Sequence, residues 1–191
     1  HAVAEWAQGM AYAGFRFSAY KTGNDKAPTR IRVSLVGGQR SLIDSQMAAV
    51  REALLIADGA SYTRRLAHEP PNAINPRTLA DEARRLARSS RLRCTVHEAA
   101  ALKRMGMGGL LAVGGGAQHP PCLIQLEYRG APRSRRLTAL VGKSITFDTG
   151  GYSIKPADGM EAMKMDMTGG ATVLGTLKAA AALKLHCNLV G

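Results

Sequence analysis

Residues 141–170, VGKSITFDTGGYSIKPADGMEAMKMDMTGG, gather Lys143, Asp148, Lys155, Lys164 and Asp166 in a stretch rich in glycine and methionine. An apolar run leads into Lys143, continues to Asp148 and then meets the Gly150-Gly151 turn. Loops at strand ends are where α/β folds place ligand-binding and catalytic groups. Two carboxylates with no histidine beside them suit a hard or borderline cation held through oxygen, such as Zn²⁺, Mn²⁺ or Mg²⁺. By spacing alone the same residues also read as solvated or helix-capping groups, so both readings stand at this point. Elsewhere the chemistry is thinner. His68, His97, His119 and His186 lie far apart, without metal-ligand spacing. Gly114 to Gly116 are not followed by the Lys-Ser/Thr pair and helix start of a phosphate loop.

The elements that must position this segment follow from periodicity. Trp6, Met10, Ala13, Phe17 and Tyr20 recur at helical spacing and predict a helix over 2–20. Residues 21–29 are turn formers, so 1–29 read as a lead-in helix and loop. Ile43, Met47, Val50 and Leu54 mark one face of a long helix reaching Leu66. Asn75-Pro76 supplies a cap and a first-turn proline for the next helix, whose buried face is Leu79, Ala83 and Leu86. Short apolar runs bounded by Gly or Pro predict strands over 109–113, 122–128 and 137–142, joined by alternating or apolar strands over 31–36, 92–97 and 185–190. A short helix is expected over 99–105 and a long one over 159–184, with a basic hairpin or surface turn at 129–136. Helices alternating with strands give an α/β class, a three-layer α/β/α arrangement around a mixed sheet. The chain stops at Leu189-Val190-Gly191, within an apolar strand, so it reads as a fragment continuing beyond residue 191.

The wording of the central segment closely resembles the signature of the leucine aminopeptidase family, the two-metal cytosolic aminopeptidases. That signature runs roughly GKG-hydrophobic-TFD-S/T-GG-x-S-hydrophobic-KP, then M-x-x-MK-x-DMGGAA. Here it reads Gly142-Lys143, Thr146-Phe147-Asp148, Gly150-Gly151, Ser153-Ile154-Lys155-Pro156 and Met163-Lys164-Met165-Asp166-Met167. His68 to Leu79 and Met105 to Pro121 are similar to the family's Asn/Pro-rich segment and its glycine-rich segment. The resemblance implies that residues 1–191 are the first half of an aminopeptidase catalytic domain. It further implies that Asp148 bridges two divalent ions, Zn or Mn, and that Lys143 and Asp166 ligate the tighter-held one. Lys155 would polarise the substrate carbonyl, and Met163 would line the pocket for the N-terminal side chain. A lysine ligates only as the neutral amine, a form that adjacent dications favour. The chain departs from the pattern in places: Ser144 follows the first lysine in place of glycine, and DMTGGA stands where the family has DMGGAA, with Thr168 in the place of a glycine. The family's later Asn-Thr-Asp-Ala-Glu-Gly-Arg motif, with two further carboxylates and an arginine, does not occur in these residues.

Composition sets the limits. The chain has 191 residues, 46% hydrophobic and 21% charged, which describes a folded globular chain and excludes a disordered one. No run approaches the roughly 18 apolar residues of a membrane span. Cys94, Cys122 and Cys187 are sparse and unpaired in spacing, as in a reducing compartment, so a cytoplasmic location is expected. Lys and Arg exceed Asp and Glu by 26 to 14, a net charge of +12. That excess supports an alternative reading: an inactive aminopeptidase-fold protein binding nucleic acid or a ribonucleoprotein through its basic surface. Aromatic residues at 5% are too few for a single-strand stacking platform. For the leading reading the expected partners are a peptide substrate, further copies in a hexamer, and the missing C-terminal half or a second chain supplying it.

Overall fold

The computed structural model describes residues 2–22, 32–34 and 39–191. The chain divides into two compact units, residues 1–57 and 58–191. The first holds α1 (Ala2–Ala13) and the opening turns of α2 (Arg40–His68). The helix expected over 2–20 stops at Ala13, where Gly14 closes the last turn through its N–H to the Met10 carbonyl (2.8 Å). Of the strand expected over 31–36, residues 32–34 are described and form no strand; 31, 35 and 36 lie outside the described residues.

The second unit begins with the last turns of α2. It continues through α3 (Pro76–Ser90), β1 (Arg93–Glu98), α4 (Ala99–Arg104), α5 (Gly108–Gly114) and β2 (Cys122–Arg129). Then come β3 (Thr138–Ala139), α6 (Ala157–Met160), a 3-10 turn (Glu161–Met165), α7 (Thr168–Ala182) and β4 (Asn188–Val190). The four strands form one mixed sheet in the order β1-β2-β4-β3. β2 is antiparallel to β1 and to β4, while β3 runs parallel to β4 with Thr138 opposite Leu189. Helices cover both sides, giving the α/β/α class expected from the sequence. The α3 helix packs on β1 and β2, α7 packs on β2, and α3 and α7 pack on each other. Leu66, Leu79, Leu126, Met167 and Leu177 are buried at the centre of the core between them.

The α3 helix shows how locally the sequence acts. The Asn75 side chain accepts from the N–H groups of Arg77 and Thr78, both at 3.1 Å, and the Thr78 hydroxyl accepts from the Asn75 N–H at 2.9 Å. This reciprocal cap, with Pro76 in the first turn, stabilises a helix whose buried stripe is Leu79, Ala80, Ala83, Leu86 and Ala87.

Further expectations are corrected or decided between. Residues 109–113 are helical, within α5, not a strand. A short apolar run between glycines has no decisive period, and Leu110, Leu111 and Ala112 are strong helix formers. The helix expected over 159–184 is three pieces, because Gly159 takes φ 89° and Asp166-Met167 turns before α7 starts. Of the two forms expected for residues 129–136, the surface turn is found and the hairpin is not, since β4 lies between β2 and β3. The last strand, β4, has a neighbour on each side.

Candidate metal centre

The segment bearing the candidate residues leaves the sheet after β3. Leu140 still donates to the Val190 carbonyl (2.8 Å), and the chain then runs without a strand partner through residues 141–148. The start of α7 docks against it. The Gly170 N–H donates to the Lys143 carbonyl at 2.7 Å, and Gly142 lies against the backbone of Gly169 and Gly170. A Cβ on Gly170 would collide with the Ser144 hydroxyl, so the helix comes this close because residue 170 has no side chain.

Two lysine–aspartate pairs result. Lys143 Nζ stands 2.8 Å from Asp166 Oδ2, and Lys155 Nζ stands 2.7 Å from Asp148 Oδ2. The second pair closes its own loop. Asp148 Oδ1 accepts from the Gly150 N–H (2.8 Å), and the Lys155 N–H donates to the Thr149 carbonyl (2.9 Å). Gly150 holds φ 92°, a left-handed conformation that favours glycine, and its Cβ position is filled by the Ser153 carbonyl. The hydrogen bond from Lys155, then that from the Gly150 amide and the charges of Lys155 and Lys143, hold the Asp148 carboxyl below the usual carboxylate range.

Asp166 ends the 3-10 turn, its N–H bonded to the Met163 carbonyl (3.1 Å). Met163 is half-buried in that turn. Lys164 takes no part in either pair and donates to the His68 carbonyl at 3.4 Å. A cavity of about 520 Å³ opens beside residues 144–147, lined mainly by apolar groups including Leu110, Val113, Ile124, Ile145 and Phe147; Met163 is not in its wall. Sequence reasoning did not find the close approach of Gly170 to Ser144. Only the departure from the family pattern at 144 pointed there.

The donor types suit a divalent cation. Each carboxylate already faces a positive charge, and the nitrogen of Lys143 is a ligand when neutral. The donor number is smaller. Among the described residues, no group of three or more His, Cys, Asp or Glu side chains is placed to hold a metal ion.

Comparison with known proteins places this geometry in context. The model of the cytosol aminopeptidase family, catalytic domain, matches residues 61–191. A probable cytosol aminopeptidase of Syntrophotalea carbinolica is 41% identical over 191 residues, covering 99% of this chain and 38% of its own length. One from Stutzerimonas stutzeri is 49% identical over 143 residues, covering 74% of this chain and 29% of its own. Among solved structures, the bottromycin maturation enzyme BotP in complex with Mn superposes with a TM-score of 0.82 at 32% identity, covering 99% of this chain and 38% of that one. The chain therefore spans somewhat over a third of the length of such relatives. Because the family match takes in both lysine–aspartate pairs and the whole four-stranded sheet that carries them, the chain belongs to the cytosol aminopeptidase family.

Proposed function

We propose that this chain is the first part of the catalytic domain of a metal-dependent aminopeptidase, which releases N-terminal residues from peptides. The observation carrying this reading is the pairing of Lys143 with Asp166 and of Lys155 with Asp148 on loops leaving one end of the sheet. Asp148 and Asp166, with the neutral amine of Lys143, are the groups that would hold divalent metal. Two ions, Zn or Mn, fit the proposal, and the Mn-bound BotP relative makes Mn²⁺ the reasonable probe. When bound, such ions supply an activated water and stabilise negative charge on the attacked carbonyl.

The chain's own residues do the rest. Lys155, anchored by Asp148, presents an ammonium to the carbonyl oxygen as charge develops there. Gly150 fixes the Asp148 carboxylate by a backbone N–H and so sets the direction of its second oxygen. Met163 would offer an apolar wall to the N-terminal side chain. A peptide substrate, a hexameric assembly and a cytoplasmic setting belong to the same proposal and rest on family membership. Among the described residues no helix is long and apolar enough to cross a membrane. The alternative of an inactive nucleic-acid-binding protein is less well supported, because a scaffold has no chemical need for both lysine–aspartate pairs.

The test is release of an aminoacyl chromophore, with Mn²⁺ present, by the whole protein that contains this chain. Lys155→Ala is expected to lower turnover about 10²–10³-fold, the usual cost of one preorganised electrostatic group. Undiminished turnover in both Asp148→Ala and Lys155→Ala would overturn the reading.

A further inference from the structure

Both partners of the Lys143–Asp166 pair are tied to the start of α7, by different bonds. Lys143 is tied through its backbone, since its carbonyl accepts from Gly170 N–H at 2.7 Å. Asp166 is tied through the turn in which it sits. The Thr168 hydroxyl reaches back to donate to the Met165 carbonyl at 2.6 Å, closing the turn over Asp166. Met167, the residue before the helix, gives α7 no side-chain cap, and its own side chain is fully buried. One side-chain hydrogen bond therefore joins the 3-10 turn to the helix across Asp166. The family pattern has glycine where Thr168 stands, so this tether is a feature of this chain and not of the general signature.

We infer that Thr168 is a positioning residue: its hydroxyl fixes the Asp166 turn on α7 and so sets where the Asp166 carboxylate stands beside Lys143, with which it would hold a divalent cation. The inference rests on the metal-centre reading above. A neutral hydrogen bond of this length contributes modestly. Removing it leaves the fold intact and lets the turn shift by a fraction of an ångström, which a metal ligand registers more sharply than the core does.

The experiment titrates the whole protein that contains this chain with Mn²⁺ alone, following free Mn²⁺ by electron paramagnetic resonance and folding by circular dichroism. Thr168→Val keeps the shape and loses the donor; Thr168→Gly restores the family residue, giving a second donor-free variant with a backbone the relatives tolerate. Thr168→Ser keeps the donor. Thr172→Val removes the neighbouring hydroxyl bond, from Thr172 to the Thr168 carbonyl (2.8 Å), which does not span the Asp166 turn. Thr168→Val and Thr168→Gly are expected to weaken Mn²⁺ binding about 3–10-fold, the equivalent of one modest hydrogen bond. Thr168→Ser and Thr172→Val should stay within about twofold of the parent, since neither removes the bond across Asp166. Parent-like affinity in both donor-free variants overturns the inference, as does equal weakening by Thr172→Val. If the parent binds no Mn²⁺, the metal-centre reading falls first and the inference with it. Binding that survives unchanged in Thr168→Val but is lost in Asp166→Asn keeps the reading and removes the inference.

Discussion

Ser144 and Gly170 exchange what the family pattern places on the two sides of one contact. GKG and DMGGAA put glycine at position 144 and alanine at 170; this chain has serine at 144 and glycine at 170. In the structure a Cβ at 170 would fall on the Ser144 hydroxyl, so one small side chain fills the gap from either side but not from both. Gly170→Ala is therefore expected to destabilise the chain by about 1–3 kcal/mol through overpacking. Ser144→Gly should be nearly neutral alone. Combined, the two should be at least as stable as the parent, because alanine suits the first turn of a helix better than glycine by about 1 kcal/mol. Urea midpoints of the four proteins measure the coupling, and strict additivity would remove the compensation argument. At this scale the sequence was legible where residue type alone carries meaning. Lys143, Asp148, Lys155 and Asp166 stood out by wording, and the structure joins them as two pairs. The Ser144–Gly170 contact was not legible, because it depends on how close α7 comes to a segment more than twenty residues earlier in the chain.

Among the elements, α3 and β2 were readable from periodicity and turn residues, while α5 and the broken 159–184 stretch were not. Apolar runs of five to seven residues fit either a buried strand or a short helix, and only tertiary neighbours decide between them. Two element-level devices carry predictions. The buried Asn188, at the start of β4, clamps the basic loop 129–136. Its Nδ2 donates to the carbonyls of Ala131 (2.8 Å), Ser134 (3.0 Å) and Arg136 (3.3 Å), and its Oδ1 accepts from the Ala131 N–H (3.1 Å). Asn188→Ala should cost about 2–4 kcal/mol in urea unfolding, since it leaves the buried Ala131 amide groups without partners; a loss below about 0.5 kcal/mol, the level of an ordinary surface change, would contradict the clamp. The second device joins α2 to α3. Glu82 accepts from Arg85 (2.6 Å), Arg65 (3.1 Å) and the Tyr62 hydroxyl (3.3 Å). Burial raises the Glu82 carboxyl, but the two arginines outweigh it and leave it lowered. Its contribution to stability is thus present above the ordinary carboxylate range and is lost as pH falls through the depressed value. Burial, then the negative Glu82, push the Tyr62 phenol up to about 12. That group favours the folded state until the unfolded phenol ionises, so stability falls as pH rises from about 10 towards 12. Tyr62→Phe should flatten this alkaline loss, measured as urea midpoints between pH 8 and 11; a loss identical to the parent's would show that Tyr62 is not responsible.

For the whole molecule, the chain accounts for 38% of the length of its Syntrophotalea relative, and among the described residues no three His, Cys, Asp or Glu side chains are placed to hold a metal ion. A two-ion mechanism needs enough ligands to fix both ions and the water between them. Under the proposed assignment, Asp148, Asp166 and Lys143 would supply three donors in all, too few to fix two ions without water taking most of the remaining positions. The arginine of the family's later motif, which would steady the transition state, is also outside these residues. Loss of one preorganised electrostatic group typically costs about 10²–10³ in turnover, and here several are missing together. The 191-residue chain alone is therefore expected to show no measurable release of an aminoacyl chromophore with Mn²⁺ or Zn²⁺, while still binding Mn²⁺ in a manner that Asp148→Ala weakens. The assay pairs the chain with that variant at matched metal concentrations. Robust metal-dependent turnover by the parent, abolished in Asp148→Ala, would mean that these residues form a complete catalytic site without further carboxylates, and the argument from ligand number would fail.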